Sequence, residues 1–404
     1  MPVERMWRTH DRLKPSYDVV IIGAGVHGLA TAYYLAKQGV TNVAVVDRGY
    51  VGGGASGRNT AIIRSNYRTA EGVAFYDESV KLYEGLASEL DYNIMFSQQG
   101  HLTIAHSGRG VQTLRERAET NQLLGVNSRL IGPEEIGRLV PQINLSRTAR
   151  HPIMAALYHP PGGIIRHDAV VWAYARGADR LGVEIHPQTE VTALMTSAAN
   201  GASSRRKVQS VVTSRGEIHT PVVVNCTAGW CSTIAAMVGV RLPIVTHPLH
   251  ALVTEPLKPF LHVVIVSATL HVYINQTDRG EMVIGEEIEP ASSYSMRSTM
   301  RFLENAAEHT LELFPCLSQV KVLRQWAGIC DMTPDFSPII GEVEDVEGFI
   351  LDVGWGTYGF KAGPVAGKRT AELIATGRTP DVIKPFSLSR FHRRELIGEK
   401  AAAA

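Results

Sequence analysis

Short runs of consecutive apolar residues alternate along the chain with stretches whose apolar positions recur every three or four residues. The alternation is clearest near the start. Val19 to Ile22 is a run of β-branched residues long enough for a buried strand. Leu29, Ala32, Tyr33 and Ala36 follow at helical spacing as far as Gly39, and a second apolar run covers Val43 to Val46. Strand, helix and strand in this order predict a βαβ unit. Further helices are predicted over 69–90, where Val73, Tyr76, Val80, Tyr83 and Leu86 share a face, over 114–124, from Pro133, from Asp168 to Gly182, over 300–314 and over 363–376. Strand-like runs lie at 98–104, 183–191, 207–213, 217–218 and 221–226, at several places between 242 and 285, and at 350–353. Residues 197–207, SAANGASSRRK, read as a flexible polar tip between two of these strands.

Glycines mark the places where chemistry is expected. Gly23-Ala24-Gly25-Val26-His27-Gly28 joins the first strand to the first helix. Gly23 permits a tight turn, Gly25 lets backbone approach a pyrophosphate, and Gly28 lets helix and strand pack closely. The helix N-terminus would then turn its unpaired N–H groups toward phosphate. Asp47 ends the second strand, 19 residues after Gly28, where a carboxylate can accept ribose hydroxyls. A dinucleotide site is the reading. A second loop follows, with Gly52 to Gly54 and Gly57 beside the donors Ser56, Arg58, Asn59 and Thr60. A nicotinamide fold would continue with a helix and a strand here; a glycine-rich loop favours FAD. Near the C-terminus Gly354, Gly356 and Gly359 bracket Trp355 and lead to Phe360-Lys361. Lys361 there could stabilise the anion of a reduced flavin. Arg64 follows the apolar Ile62-Ile63, so its side chain is expected to emerge from a buried strand into a cavity. His167 sits at the mouth of the helix opened by Asp168, where the dipole keeps an imidazole neutral. A capping or surface role is the competing reading for His167.

Composition narrows the function classes. The 404 residues allow two or three domains, and 45% hydrophobic with 20% charged residues is ordinary for a globular protein. A formal charge of +1 gives no electrostatic case for nucleic acid or an anionic membrane. The polar N-terminus has no signal-peptide core, and no stretch reaches the ~18 apolar residues of a membrane span. Cys226, Cys231, Cys316 and Cys330 form no CxxC pair and read as reduced thiols of a cytoplasmic protein. His101, His106 and His151 lack metal-ligand spacing and read as ordinary polar or half-buried histidines, so no metal is expected.

GAGVHG, RNTAIIRSNY, RHDAVVWAYARGA, CTAGW, WAGICDMTPDFSPIIG and GWGTYGFKAGPVAGK stand in this order in the chain. Together they resemble the glycine/D-amino-acid-oxidase-like flavoproteins over residues ~17 to ~385, and within them the β subunits of heterotetrameric sarcosine oxidases. The resemblance implies noncovalent FAD, with Val26, His27, Asp47, Arg58, Asn59, Thr60 and Ile63 matching its N-terminal contacts. Val191 matches an adenine-side contact, and Gly356, Gly359 and Lys361 match the C-terminal loop. It also implies FMN joined covalently to His167, and Arg64 as anchor of the substrate carboxylate. Two departures from monomeric relatives matter. Gly328 stands where those enzymes carry a flavin-linking cysteine, and Val283 where they carry an oxygen-activating lysine. Both fit an FAD that passes electrons to FMN rather than to oxygen.

The expectation is therefore a two-domain α/β fold. A Rossmann-like FAD domain is expected from residues 1–70, 150–235 and 325–404, and an α+β substrate domain with a mixed sheet from 71–149 and 236–324. The implied reaction is oxidative demethylation of sarcosine to glycine and formaldehyde, or to methylenetetrahydrofolate, with peroxide formed at FMN. The implied partners are α, γ and δ subunits. A related dehydrogenase for L-proline, dimethylglycine or another N-methyl amino acid is the alternative, and a flavin-bearing relay subunit without turnover is another.

Overall fold

The computed structural model describes residues 6–197 and 205–399. Most of the polar tip at 197–207 lies outside the described residues. Two sheets carry the architecture. The first is six-stranded, in the order Ile339–Glu342, Phe349–Val353, Val223–Asn225, Val19–Ile22, Val43–Val46 and Glu184–His186. All neighbours are parallel except the edge strand Ile339–Glu342, which runs antiparallel to Phe349–Val353. The strands are short apolar runs because both faces are covered. Helices Val26–Lys37 and His167–Arg180 pack on one face, with Gly359–Thr376 beside the first of them. On the other face lie helix Cys231–Met237 and a small four-stranded sheet.

Helices Val26–Lys37 and Gly359–Thr376 approach closely because small residues meet. A Cβ on Gly363 would stand 2.5 Å from Val26 Cγ2, and one on Gly367 2.4 Å from Ala30 Cβ. Pro364 lies inside the C-terminal helix and cannot donate to the carbonyl of Phe360. That carbonyl accepts from Tyr83 Oη at 2.7 Å instead, and the next one, of Lys361, accepts from Ser79 Oγ at 2.6 Å. Helix Ala70–Glu89 thereby clamps the turn that presents Lys361.

The second sheet has eight strands, in the order Val322–Met332, Val245–Pro256, Glu281–Ile288, Val272–Gln276, Val264–Ser267, His101–Ala105, Ala155–His159 and Arg129–Ile131. It is mixed: Val264–Ser267 and His101–Ala105 are parallel and the other pairs antiparallel. One face holds a separate apolar core beneath helix Met300–Leu313. Two of its strands, Ala155–His159 and Val322–Met332, come wholly or in part from segments assigned above to the FAD domain, which places the sheet crossings near 160 and 333 rather than at 150 and 325. Alternation identifies a strand but not its partner. No helix among the described residues is long and apolar enough to cross a membrane.

Candidate active site

A cavity of about 700 Å³ opens where the carboxyl ends of the parallel strands meet the second sheet. At one end the first glycine loop is tightly packed. Gly23 has φ 115°, and a Cβ on Gly28 would lie 2.0 Å from the Gly23 carbonyl oxygen. Asp47 accepts from Ala24 N and from Gly49 N, both at 2.8 Å, so its carboxylate braces the loop while facing the cavity. Ser56 Oγ accepts from Val26 N at 3.0 Å, linking the two N-terminal glycine loops. Arg58 donates to the carbonyls of Gly53 and Gly54, and Asn59 to that of Ser56. Gly25, Val26, Thr60 and Val191 line the same space. Ile63 does not: Ile62 and Arg64 point into the cavity, and the side chain between them packs into the core.

The C-terminal loop joins this end through His27 and two carboxylates that the sequence did not single out, Asp352 and Asp331. His27 Nδ1 lies 3.0 Å from Asp352 Oδ1, and its Nε2 lies 2.8 Å from the carbonyl oxygen of Gly359. Trp355 donates to the same carboxylate at 2.7 Å and packs on the imidazole at 4.5 Å. Nε2 thus has a carbonyl acceptor, while Nδ1 has a carboxylate within ion-pair distance but no hydrogen bond to it. Burial lowers the pKa of His27, but the Asp352 carboxylate outweighs it and holds the ring above the usual histidine value. Asp331 accepts from Gly354 N at 2.6 Å and is pushed up to about 6 by burial.

A pH signature follows from His27. A folded pKa above the unfolded one gives stability that is complete below about pH 6.5 and fades as pH rises through the folded value. His27→Gln should cost on the order of 1–3 kcal/mol near pH 6 and progressively less above. Urea unfolding of both proteins from pH 5.5 to 8.5 measures the difference, which includes the shift that losing the His27 charge gives to the coupled Asp331. A constant difference across the range would place no proton on His27.

At the other end sit buried cations. Arg64 is 5% exposed and, among the described residues, hydrogen-bonds Asn66 alone, at 2.9 Å to Oδ1 and 3.3 Å to the carbonyl. Its guanidinium lies 4.5 Å from the Tyr67 ring and 5.9 Å from that of Tyr358. Lys361, 7% exposed, reaches only the Thr357 carbonyl at 3.4 Å. Among the described residues no carboxylate lies within ion-pair distance of either. Burial, reinforced by Arg64, pulls Lys361 well below the usual lysine value, and an anion beside it would favour its charged form. Arg117 donates to the Asn66 carbonyl at 2.6 Å through Nε and is lowered to about 9 by burial first and Arg64 second. His101, read from sequence as ordinary, is 1% exposed and lines this end of the cavity. No local signal marks it, because its setting arises only when distant segments meet.

His167 is the first residue of its helix, as expected, but stands outside the cavity lining, edge-on to Phe360 at 6.4 Å. Its Nδ1 is buried without a partner, and burial lowers its pKa. Gly328 lies on the lining beside Arg58, and Val283 pairs with Asn275 away from it. The four cysteines are free thiols, and no metal-holding cluster of His, Cys, Asp or Glu occurs among the described residues.

The FAD dependent oxidoreductase family matches residues 18–373. Sarcosine oxidase subunit beta of Rhodobacter capsulatus is 42% identical over 99% of this chain and 94% of its own length. That of an Arthrobacter species is 43% identical over 97% and 95%. Among solved structures, L-proline dehydrogenase from P. horikoshii superposes with a TM-score of 0.88 at 29% identity, covering 95% of this chain and all of the other. The chain is an FAD-dependent amine oxidoreductase and belongs to the FAD dependent oxidoreductase family, within it to the sarcosine oxidase β subunits.

Proposed function

We propose that this chain is the amine-oxidising subunit of a sarcosine oxidase, converting sarcosine to glycine and formaldehyde or a methylenetetrahydrofolate. One observation carries the reading: the buried Arg64, and Lys361 whose charge burial disfavours, line a preformed cavity, and no carboxylate among the described residues pairs with either. Buried charge without a counter-ion is costly, and a small carboxylate supplies what is missing. Arg64 would hold that carboxylate and Lys361 would sit beside it, while Tyr67 and Tyr358 keep water from the guanidinium.

The residues at the glycine loops suit a noncovalent FAD. Gly23, Gly25, Val26, His27 and Gly28 offer backbone and helix N-terminus to phosphate, Asp47 has free lone pairs for ribose, and Val191 offers an apolar wall. Arg58, Asn59 and Thr60 shape the middle of the site, and Gly356, Gly359 and Lys361 close it. FAD, when bound, supplies the hydride acceptor, and an FMN on His167 would supply the exit for electrons to oxygen. The orphaned Nδ1 and neutral ring of His167 fit such an attachment. The names of the relatives support a complex with further subunits, read here as α, γ and δ. Residues 1–70, 150–235 and 325–404 are assigned to the FAD domain and the remainder to the substrate domain, with strands Ala155–His159 and Val322–Met332 joined to the latter's sheet.

Anaerobic mixing of the purified flavoprotein with sarcosine, dimethylglycine and L-proline tests the substrate. Sarcosine should bleach the FAD absorbance with the highest ratio of limiting reduction rate to apparent Kd. Faster bleaching by L-proline, in keeping with the likeness to a proline dehydrogenase, would replace the substrate while keeping the site.

A further inference from the structure

The segment that carries Arg64 runs on to Thr69 without helix or strand, and side chains from three distant places hold its backbone. Ser65 N donates to His159 Nε2 at 3.2 Å. Arg117 donates to the Asn66 carbonyl, and Asn121 Nδ2 to the Tyr67 carbonyl at 2.8 Å. The last pin is a carboxylate near the C-terminus. Glu399 Oε2 accepts from Thr69 Oγ1 at 2.9 Å and from Thr69 N at 3.3 Å, and its Oε1 accepts from Arg68 N at 3.3 Å. Glu399 is buried, and a Cβ on Gly72 would stand 2.7 Å from its Oε2, so helix Ala70–Glu89 starts hard against it. The tail is anchored in turn. Arg390 and Asp335 form a buried ion pair at 2.8 and 2.9 Å, and Ile397 N donates to Asp335 Oδ2 at 3.2 Å. The Ile397 side chain packs on the core that holds Tyr67 and Tyr358.

We propose that Glu399 is a positioning residue for the carboxylate anchor: it fixes the far end of the Arg64–Thr69 segment, and with it the Asn66 and Tyr67 groups that aim the Arg64 guanidinium. The proposal rests on the reading of Arg64 as the group that holds the substrate carboxylate. Arg64 takes its direction from this segment, since it donates to Asn66 Oδ1 at 2.9 Å and lies over the Tyr67 ring at 4.5 Å. A carboxylate that accepts from two backbone N–H groups and a hydroxyl at a helix start makes charge-assisted bonds, and the helix dipole favours it. Without it Arg68 N and Thr69 N lose an acceptor and the segment gains freedom. Ordering the guanidinium then counts against ligand binding. The charge of Glu399 acts the other way. It is felt at Arg117, which shares the Asn66 carbonyl with Arg64, so removing the charge alone would tighten an anion held at Arg64. Positioning and charge therefore predict opposite signs.

The test reads binding of methoxyacetate, a carboxylate with no amine to oxidise, from the flavin spectrum of the intact flavoprotein. Glu399→Ala should weaken it about five- to tenfold. FAD content should be unchanged, because Glu399 stands outside the cavity lining. Glu399→Gln, which keeps an oxygen acceptor, should restore part of the affinity. In an Arg64→Ala background the alanine substitution should change binding by less than about twofold, since the group it positions is gone. Thr299→Ala removes the cap of helix Met300–Leu313 and controls for lost stability alone. It should leave binding within about twofold of wild type. Unchanged or tighter binding in Glu399→Ala, or an equal loss with and without Arg64, would overturn the proposal. If the alanine variant loses FAD, Glu399→Asp, which keeps the charge but withdraws it by one methylene, is judged by the same outcomes. Wild-type affinity in Arg64→Ala would instead refute the anchor reading itself, which keeps the two failures apart.

Discussion

Arg64→Ala is expected to weaken carboxylate inhibitors such as acetate and methoxyacetate by about 2–4 kcal/mol, roughly 30- to 1000-fold. The guanidinium is buried, is held by Asn66 at 2.9 Å and packs over Tyr67. Arg64→Lys should recover only part of the loss, because an ammonium lacks the planar fork that meets two carboxylate oxygens. Lys361 makes the loss larger. Burial disfavours its charge, and a carboxylate no longer anchored at Arg64 offsets that burial less well. The exposed Arg109→Ala serves as a control that changes net charge without touching the cavity. Equal affinities in Arg64→Ala and wild type would remove Arg64 from the substrate site.

His167→Ala should separate capture of hydride from its onward transfer. Flavin that stays on the polypeptide after acid precipitation should be lost, while FAD released to the supernatant should be unchanged. Sarcosine should still bleach FAD at close to the wild-type rate, since His167 stands outside the cavity lining, edge-on to Phe360. Reoxidation by oxygen should slow by at least about tenfold, equivalent to some 1.4 kcal/mol of barrier. Retention of covalent flavin in the variant would put the attachment elsewhere. Loss of bleaching with FAD still bound would move His167 into the amine site.

Local chemistry was the legible part of this chain. The Val19–Ile22 run, the glycine loop and Asp47 announce themselves because each need is met within a few residues. Arg64 was legible for the same reason, since the two apolar residues before it fix the side to which it points. Groups that owe their state to distant segments were not. His101 resembles any strand histidine until Arg64 and Lys361 are folded against it, and Asp352 matters because His27, 325 residues earlier, lies 3.0 Å away. The membership of Val322–Met332 in the second sheet is of this kind too, being set by its pairing with Val245–Pro256.

The strand order of the six-stranded sheet has a consequence for how the protein is made. The first βαβ unit is complete at Val46, but the strand that leads into the C-terminal glycine loop ends only at Val353. At ~5–20 residues per second a ribosome spends about 15–60 s on the chain between them. For most of that interval Val19–Ile22 lacks its neighbour Val223–Asn225 and presents an apolar, unpaired edge. His27 meanwhile has neither Asp352 nor the Gly359 carbonyl. The full cradle around His27 is therefore assembled only after Gly359 has been made. A product cut short before Phe349 would display the glycine fingerprint and yet lack half of the cradle.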